Sequence, residues 1–141
     1  MTFAEAVRSV LNKYADFNGR ARRSEYWYWT LAVILGYLVI AILSAVLGKL
    51  GTILLVLAVL AVVLPGLAVA VRRLHDTGRS GWWLLLGIVP FGGIVILVFE
   101  CMDSTPGDNA YGPSPKGVAG VGYGQPGGYG QPPAYGQPPV V

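Results

Sequence analysis

The sequence predicts an all-α integral membrane protein: a short N-terminal amphipathic helix, three transmembrane helices, and a disordered C-terminal tail rich in Gly, Pro, Tyr and Gln. Three observations carry this. Of 141 residues, 54% are hydrophobic and only 12% charged, against about 25% charged in a soluble domain. The runs Tyr26 to Gly48, Leu50 to Val71 and Gly81 to Phe99 hold no charged residue. Each approaches or exceeds the roughly 20 residues a helix needs to cross a bilayer. From residue 104 onward the composition changes altogether.

The elements follow in order. Thr2-Phe3-Ala4-Glu5 has capping-box spacing. Phe3, Val7, Val10, Leu11 and Tyr14 then recur at helical spacing. This predicts an interfacial helix over about 2–16, lying on the membrane surface or on the bundle. The first ten residues lack a basic region followed by an apolar core, so no signal peptide is expected. Asn18-Gly19 marks a turn before the first span, 26–48. The link Gly48-Lys49-Leu50-Gly51 is short enough to force an antiparallel hairpin with the second span, 50–71. Pro65-Gly66 reads as a kink near that span's end. Ala32, Gly36, Ser44 and Gly48 form a small-residue side of span one, suited to another span or another copy. The third run, 81–99, carries Pro90, Gly92 and Gly93 at its middle. It reads as a kinked spanning helix, with a re-entrant hairpin packed against protein as the alternative. The membrane domain is therefore 1–103 and the tail 104–141. Tyr-Gly-Gln-Pro recurs there at 123, 129 and 135, in a composition too poor in apolar residues to offset chain entropy.

Basic residues set the orientation. Arg8, Lys13, Arg20, Arg22 and Arg23 precede the first span, and Arg72, Arg73 and Arg79 separate the second and third. Lys49 stands on the opposite side. The positive-inside rule puts the N-terminus in the cytoplasm. Three spans place the tail outside; a re-entrant third run places it inside. Tyr26, Trp27, Tyr28, Trp29, Trp82 and Trp83 cluster at the cytoplasmic mouths and read as interfacial anchors.

Composition excludes several functions. One cysteine and one histidine allow no internal disulfide and no usual multi-residue metal site, so neither metal nor cofactor is expected. Cys101 lies beside Glu100 and Asp103, which raise a thiol pKa instead of activating it. The spans hold no ionisable residue, so transport would require several copies or a partner. A net charge of +3 is too weak to argue for nucleic acid.

The informative chemistry is the polar face. Arg20, Arg22, Arg23, Arg72, Arg73 and Arg79 meet Asp16, Glu25 and Asp76 as potential ion-pair partners. Guanidinium forks suit carboxylate or phosphate. These six arginines form either an anionic-headgroup or phosphorylated-ligand site, or topology determinants with structural ion pairs. His75-Asp76 could do acid–base work, yet a histidine in a basic loop is more often a hydrogen-bonding residue.

The runs GRARRSEYW (from Gly19), RRLHDTGRSGWW (from Arg72) and GDNAYGPSP (from Gly107) are similar to those of a family of small bacterial inner-membrane proteins, domain of unknown function 805. The resemblance covers roughly residues 10 to 115. It implies a compact multi-pass domain of the bacterial cytoplasmic membrane, with no established activity or catalytic residue. The function expected is a non-enzymatic scaffold or accessory module. Its partners would be anionic membrane lipids and another membrane protein or a second copy, with no nucleic acid. The alternatives are a transporter or channel subunit, and a membrane enzyme acting on a lipid phosphate through Arg72, Arg73, His75 and Asp76.

Overall fold

The computed structural model describes residues 1–117 and is all-helical there, with no strand among the described residues. The helices are α1 (Phe3–Asn12), α2 (Arg23–Leu47), α3 (Lys49–Asp76) and α4 (Gly92–Cys101), with a 3-10 helix over Gly81–Ile88. The Tyr-Gly-Gln-Pro repeat and the tail beyond residue 117 lie outside the described residues.

Helix α1 starts at the predicted cap. The Glu5 amide donates to Thr2 Oγ1 at 3.3 Å, and the Thr2 amide donates to Glu5 Oε2 at 2.8 Å. Its inner face buries Ala6 and Val10, and Val10 joins Ala21, Trp29 and Val69 in one small core. Phe3, Leu11 and Tyr14 stay exposed.

Among the described residues, α2 and α3 are the two helices long and apolar enough to cross a membrane. At 1.5 Å per residue, α2 with 25 residues and α3 with 28 reach about 37 and 42 Å, beyond the roughly 30 Å hydrocarbon core. They turn at Gly48, whose φ of 57° favours glycine. Just beyond, a Cβ on Gly51 would stand 2.2 Å from the Ser44 Cα, so the helices approach there backbone to backbone. Ser44 thus faces α3, whereas Gly36 meets nothing within 4 Å. Away from the core the apolar side chains point outward: Val46 is 83% exposed and Leu60 65%. Helix α3 runs through Pro65 and past the apolar run to Asp76, carrying Arg72 and Arg73 into the interior.

The run 81–99 does not form one continuous helix, contrary to the expectation of a kinked spanning helix: the chain folds back on itself as a hairpin. The 3-10 helix ends at Val89, held extended (φ −86°, ψ 139°) before Pro90. Phe91 then takes a left-handed φ of 64°, and α4 runs back along the 3-10 helix. Gly92 permits the closure, because a Cβ there would lie 1.8 Å from the Leu86 carbonyl oxygen. The two ends meet: the Arg79 guanidinium lies 4.1 Å over the Phe99 ring, and Trp83 meets Phe99 edge-on at 5.6 Å. Ten residues of α4 reach about 15 Å, half the hydrocarbon thickness. At the tip the amides of Val89, Gly92 and Ile94 donate to Leu86, Val89 and Phe91 carbonyls, which keeps this irregular backbone bonded.

Candidate functional site

The hairpin returns the chain to the arginine-bearing end, where three segments converge: 19–25, the last turn of α3, and 100–115. Asp76 is the hub, fully buried. Its Oδ1 accepts from Arg20 Nε at 3.0 Å, and its Oδ2 accepts from Arg73 Nη1 at 2.5 Å and from Ser104 Oγ at 2.6 Å. Arg20 continues into the last segment. Its Nη1 donates to the Gly107 carbonyl at 2.5 Å and its Nη2 to the Thr105 carbonyl at 2.9 Å. Arg73 Nε donates to the Glu100 carbonyl at 3.1 Å, and its Nη2 donates to the Met102 carbonyl. The guanidinium forks thereby collect carbonyls that the local helices leave free.

Arg72 points the other way, toward α1. Its Nη1 donates to Glu25 Oε1 at 2.9 Å, and Ser9 Oγ donates to the same oxygen at 3.1 Å. The backbone seals this junction through the Ala21 amide, which donates to the Arg72 carbonyl at 2.9 Å. His75 bonds the Gly19 carbonyl through Nδ1 at 3.1 Å and stacks on Tyr111, with ring centroids 3.9 Å apart. Asn109 Nδ2 donates to the His75 carbonyl at 2.8 Å and to Thr105 Oγ1 at 3.0 Å.

Of the six arginines grouped in sequence, Arg20, Arg72 and Arg73 are thus buried in internal pairs, while Arg22, Arg23 and Arg79 stay nearer the surface. Arg22 donates to the Pro115 carbonyl, and Arg23 lies 4.0 Å from Asp103. Arg79 donates to the Thr77 carbonyl at 3.2 Å. Of the three acids, Glu25 and Asp76 take arginines. Asp16 does not: it is exposed and accepts from the Asn18 amide at 3.0 Å, closing a local turn. Two expected anchors are also corrected. Trp29 is 6% exposed and belongs to the core. Tyr26 is half-buried and donates to Glu100 Oε2 at 2.6 Å. Trp27, Tyr28, Trp82 and Trp83 are exposed.

Residues 104–112, expected to begin the disordered tail, are instead partners in the cluster. Sequence reasoning also missed Glu100, Asp103 and Lys116. Asp103 accepts from the Lys116 ammonium and from the Ser104 amide, and these bonds hold its carboxyl below the usual carboxylate range. The available signal was the run GDNAYGPSP, whose Gly107, Asn109, Tyr111 and Gly112 all touch the cluster.

Comparisons with known proteins place this chain among membrane relatives. The model of a family described as protein of unknown function (DUF805) matches residues 14–113, a stretch holding Arg20, Arg73, Asp76 and the carbonyls they bind. The inner membrane protein YhaI of Escherichia coli strain K12 is 50% identical over 109 residues, covering 77% of this chain and 92% of YhaI. The inner membrane protein YhaH of the same strain is 47% identical over 112 residues, covering 76% and 93%. The uncharacterized protein YiiR is 39% identical over 76 residues, covering 52% and 50%. No solved structure matches. With its two long apolar helices and inner-membrane relatives, this chain is a membrane protein and belongs to the DUF805 family.

Proposed function

We propose that the chain is a non-enzymatic module of the bacterial inner membrane, a scaffold or accessory subunit. It crosses twice through α2 and α3 and dips into the inner leaflet with the hairpin 81–101. Its N-terminus and residues 102–117 lie in the cytoplasm. Arg22, Arg23 and Lys116 face anionic lipid.

The observation that carries this reading is the closure of Arg20, Arg73 and Asp76 on one another and on carbonyls of residues 100–107. It joins the start of the first crossing, the end of the second and the chain after the hairpin into one rigid polar end. The residues an enzyme would use are occupied: Asp76 holds two arginines and a serine, and His75 holds a carbonyl and a tyrosine ring. The positive-inside rule supports the cytoplasmic placement of this end.

Topology tests the reading. Single cysteines at Lys49 and Ala110, in a Cys101→Ala background, are exposed to a membrane-impermeant maleimide on intact Escherichia coli spheroplasts. Lys49→Cys is expected to label and Ala110→Cys to label only after lysis. Labelling of Ala110→Cys on intact spheroplasts overturns the two-crossing arrangement.

A further inference from the structure

We propose that the side of α2 facing α4 holds one anionic phospholipid of the inner leaflet, with its phosphate among Arg22, Arg23 and Lys116 and one acyl chain in the groove between α2 and α3. This rests on the topology just proposed and adds a defined site to it.

The mouth is a polar pocket of about 500 Å³ lined by Arg22, Arg23, Ser24, Asp103 and Lys116. Three cations there face one acid. Lys116 and Arg23 both engage Asp103, and the Arg23 side chain remains 49% exposed. Positive charge is left over at the height where lipid phosphates sit, and a guanidinium fork suits a phosphate's oxygens.

Below the mouth the chemistry turns apolar. A groove of about 390 Å³ runs between Tyr26, Val33 and Tyr37 of α2 and Val62, Gly66 and Leu67 of α3. A second cavity of about 150 Å³ shares Trp29, Val33, Tyr37 and Val62 and extends the groove to Ile40. Gly66 keeps it open: a Cβ there would have only Trp29 Nε1 within 4 Å, at 3.8 Å.

Mouth and groove lie on one line. Arg23 meets Asp103, and one turn on Tyr26 meets Glu100, so α2 meets the end of α4 and the residues just beyond it in two successive rungs on one face. The groove therefore begins about 4.5 Å below the basic pocket and runs about 21 Å from Tyr26 to Ile40. One leaflet's hydrocarbon is about 15 Å deep, half of the bilayer core. The dimensions fit an acyl chain hanging from a phosphate at the mouth. A parallel second copy fits poorly, because it would bring its own Arg22, Arg23 and Lys116 against these at the same depth.

The test uses the full chain purified and delipidated in dodecyl maltoside, with native mass spectrometry of dioleoylphosphatidylglycerol or dioleoylphosphatidylcholine added at equal concentration. The parent should bind one phosphatidylglycerol per chain, at least about tenfold tighter than phosphatidylcholine, as two surface cations at about 1 kcal/mol each imply. Arg22→Gln with Arg23→Gln should remove that preference and leave phosphatidylcholine binding unchanged. Gly66→Leu, a substitution helices tolerate well, should fill the groove and lose both lipids. All three proteins are first shown to be monodisperse with equal melting temperatures. Retention of the preference in the double variant overturns the headgroup site. Parent-like binding by Gly66→Leu overturns the acyl groove, and a parent dimer that Gly66→Leu dissolves assigns the groove to a second copy. These readouts are independent of the maleimide labelling, so the lipid site can fail while the topology stands.

Discussion

Asp76 pairs with two buried guanidiniums at once, Arg20 at 3.0 Å and Arg73 at 2.5 Å. A buried charge whose partner is removed costs about 3–5 kcal/mol. Asp76→Ala is therefore expected to destabilise the protein by at least that much in reversible denaturation from detergent micelles, and a change under 1 kcal/mol would contradict the hub role. Arg72 is a different case. Its Nε and Nη2 are buried without a partner among the described residues, so the pair with Glu25 is desolvated more fully than it is bonded. Such pairs are replaced by apolar side chains at little cost, while breaking them from one side is expensive. Arg72→Met alone should lose about 3 kcal/mol, and Arg72→Met with Glu25→Met should return to within about 1 kcal/mol of the parent. A double variant as unstable as the single one would mean that the pair itself holds α1 in place.

Among the elements, α1 and the hairpin depend on few contacts and are the most open to perturbation. The Glu5 carboxyl is held below its ordinary value, chiefly by the bond from the Thr2 amide. A group with a lowered folded pKa contributes stability that is complete above its unfolded value, near 4.5, and disappears as pH falls through the folded value. Amide protection of α1 in hydrogen exchange should therefore drop below about pH 4, and in Glu5→Gln the drop should vanish. In the hairpin, Gly92→Ala drives a methyl into the Leu86 carbonyl. Overpacking of this kind costs about 1–3 kcal/mol, and exchange should rise across Gly81–Cys101 while α2 stays protected. The capping box of α1 and the two long helices were legible in sequence because a local rule decides each: side-chain spacing in one case, uncharged length in the other. The hairpin was legible only as an alternative. Pro90 and Gly92 announce a break, but whether the chain bends or reverses is settled by Phe91 adopting a left-handed conformation and by Arg79 meeting Phe99.

At the scale of the whole molecule, two long apolar helices are fastened at one end by a polar knot. Half of that knot was readable: Glu25 and Asp76 are the acids nearest the arginines in sequence, and both take them. The other half was hidden because the chain after Asp103 contributes mainly backbone oxygens, those of Thr105, Gly107 and Gly112. Every residue type carries a carbonyl, so composition cannot reveal one that is needed. A Gly- and Pro-rich stretch then reads as disorder, although here those residues shape the turns that aim the carbonyls. Gly107 has φ 70° and Gly112 φ 130°. The consequence is a sharp difference between two truncations. A chain ending at Gly117 retains every partner Arg20 has among the described residues. A chain ending at Asp103 leaves Arg20 Nη1 without the Gly107 carbonyl and Nη2 without Thr105, strips Ser104 from Asp76, and uncovers the His75 ring by removing Tyr111. Each buried donor left unpaired costs about 1–3 kcal/mol, and more when charged. The shorter chain should thus be at least about 3 kcal/mol less stable than the longer one, or fail to accumulate in the membrane, whereas equal melting temperatures would show that the segment decorates the knot without tying it.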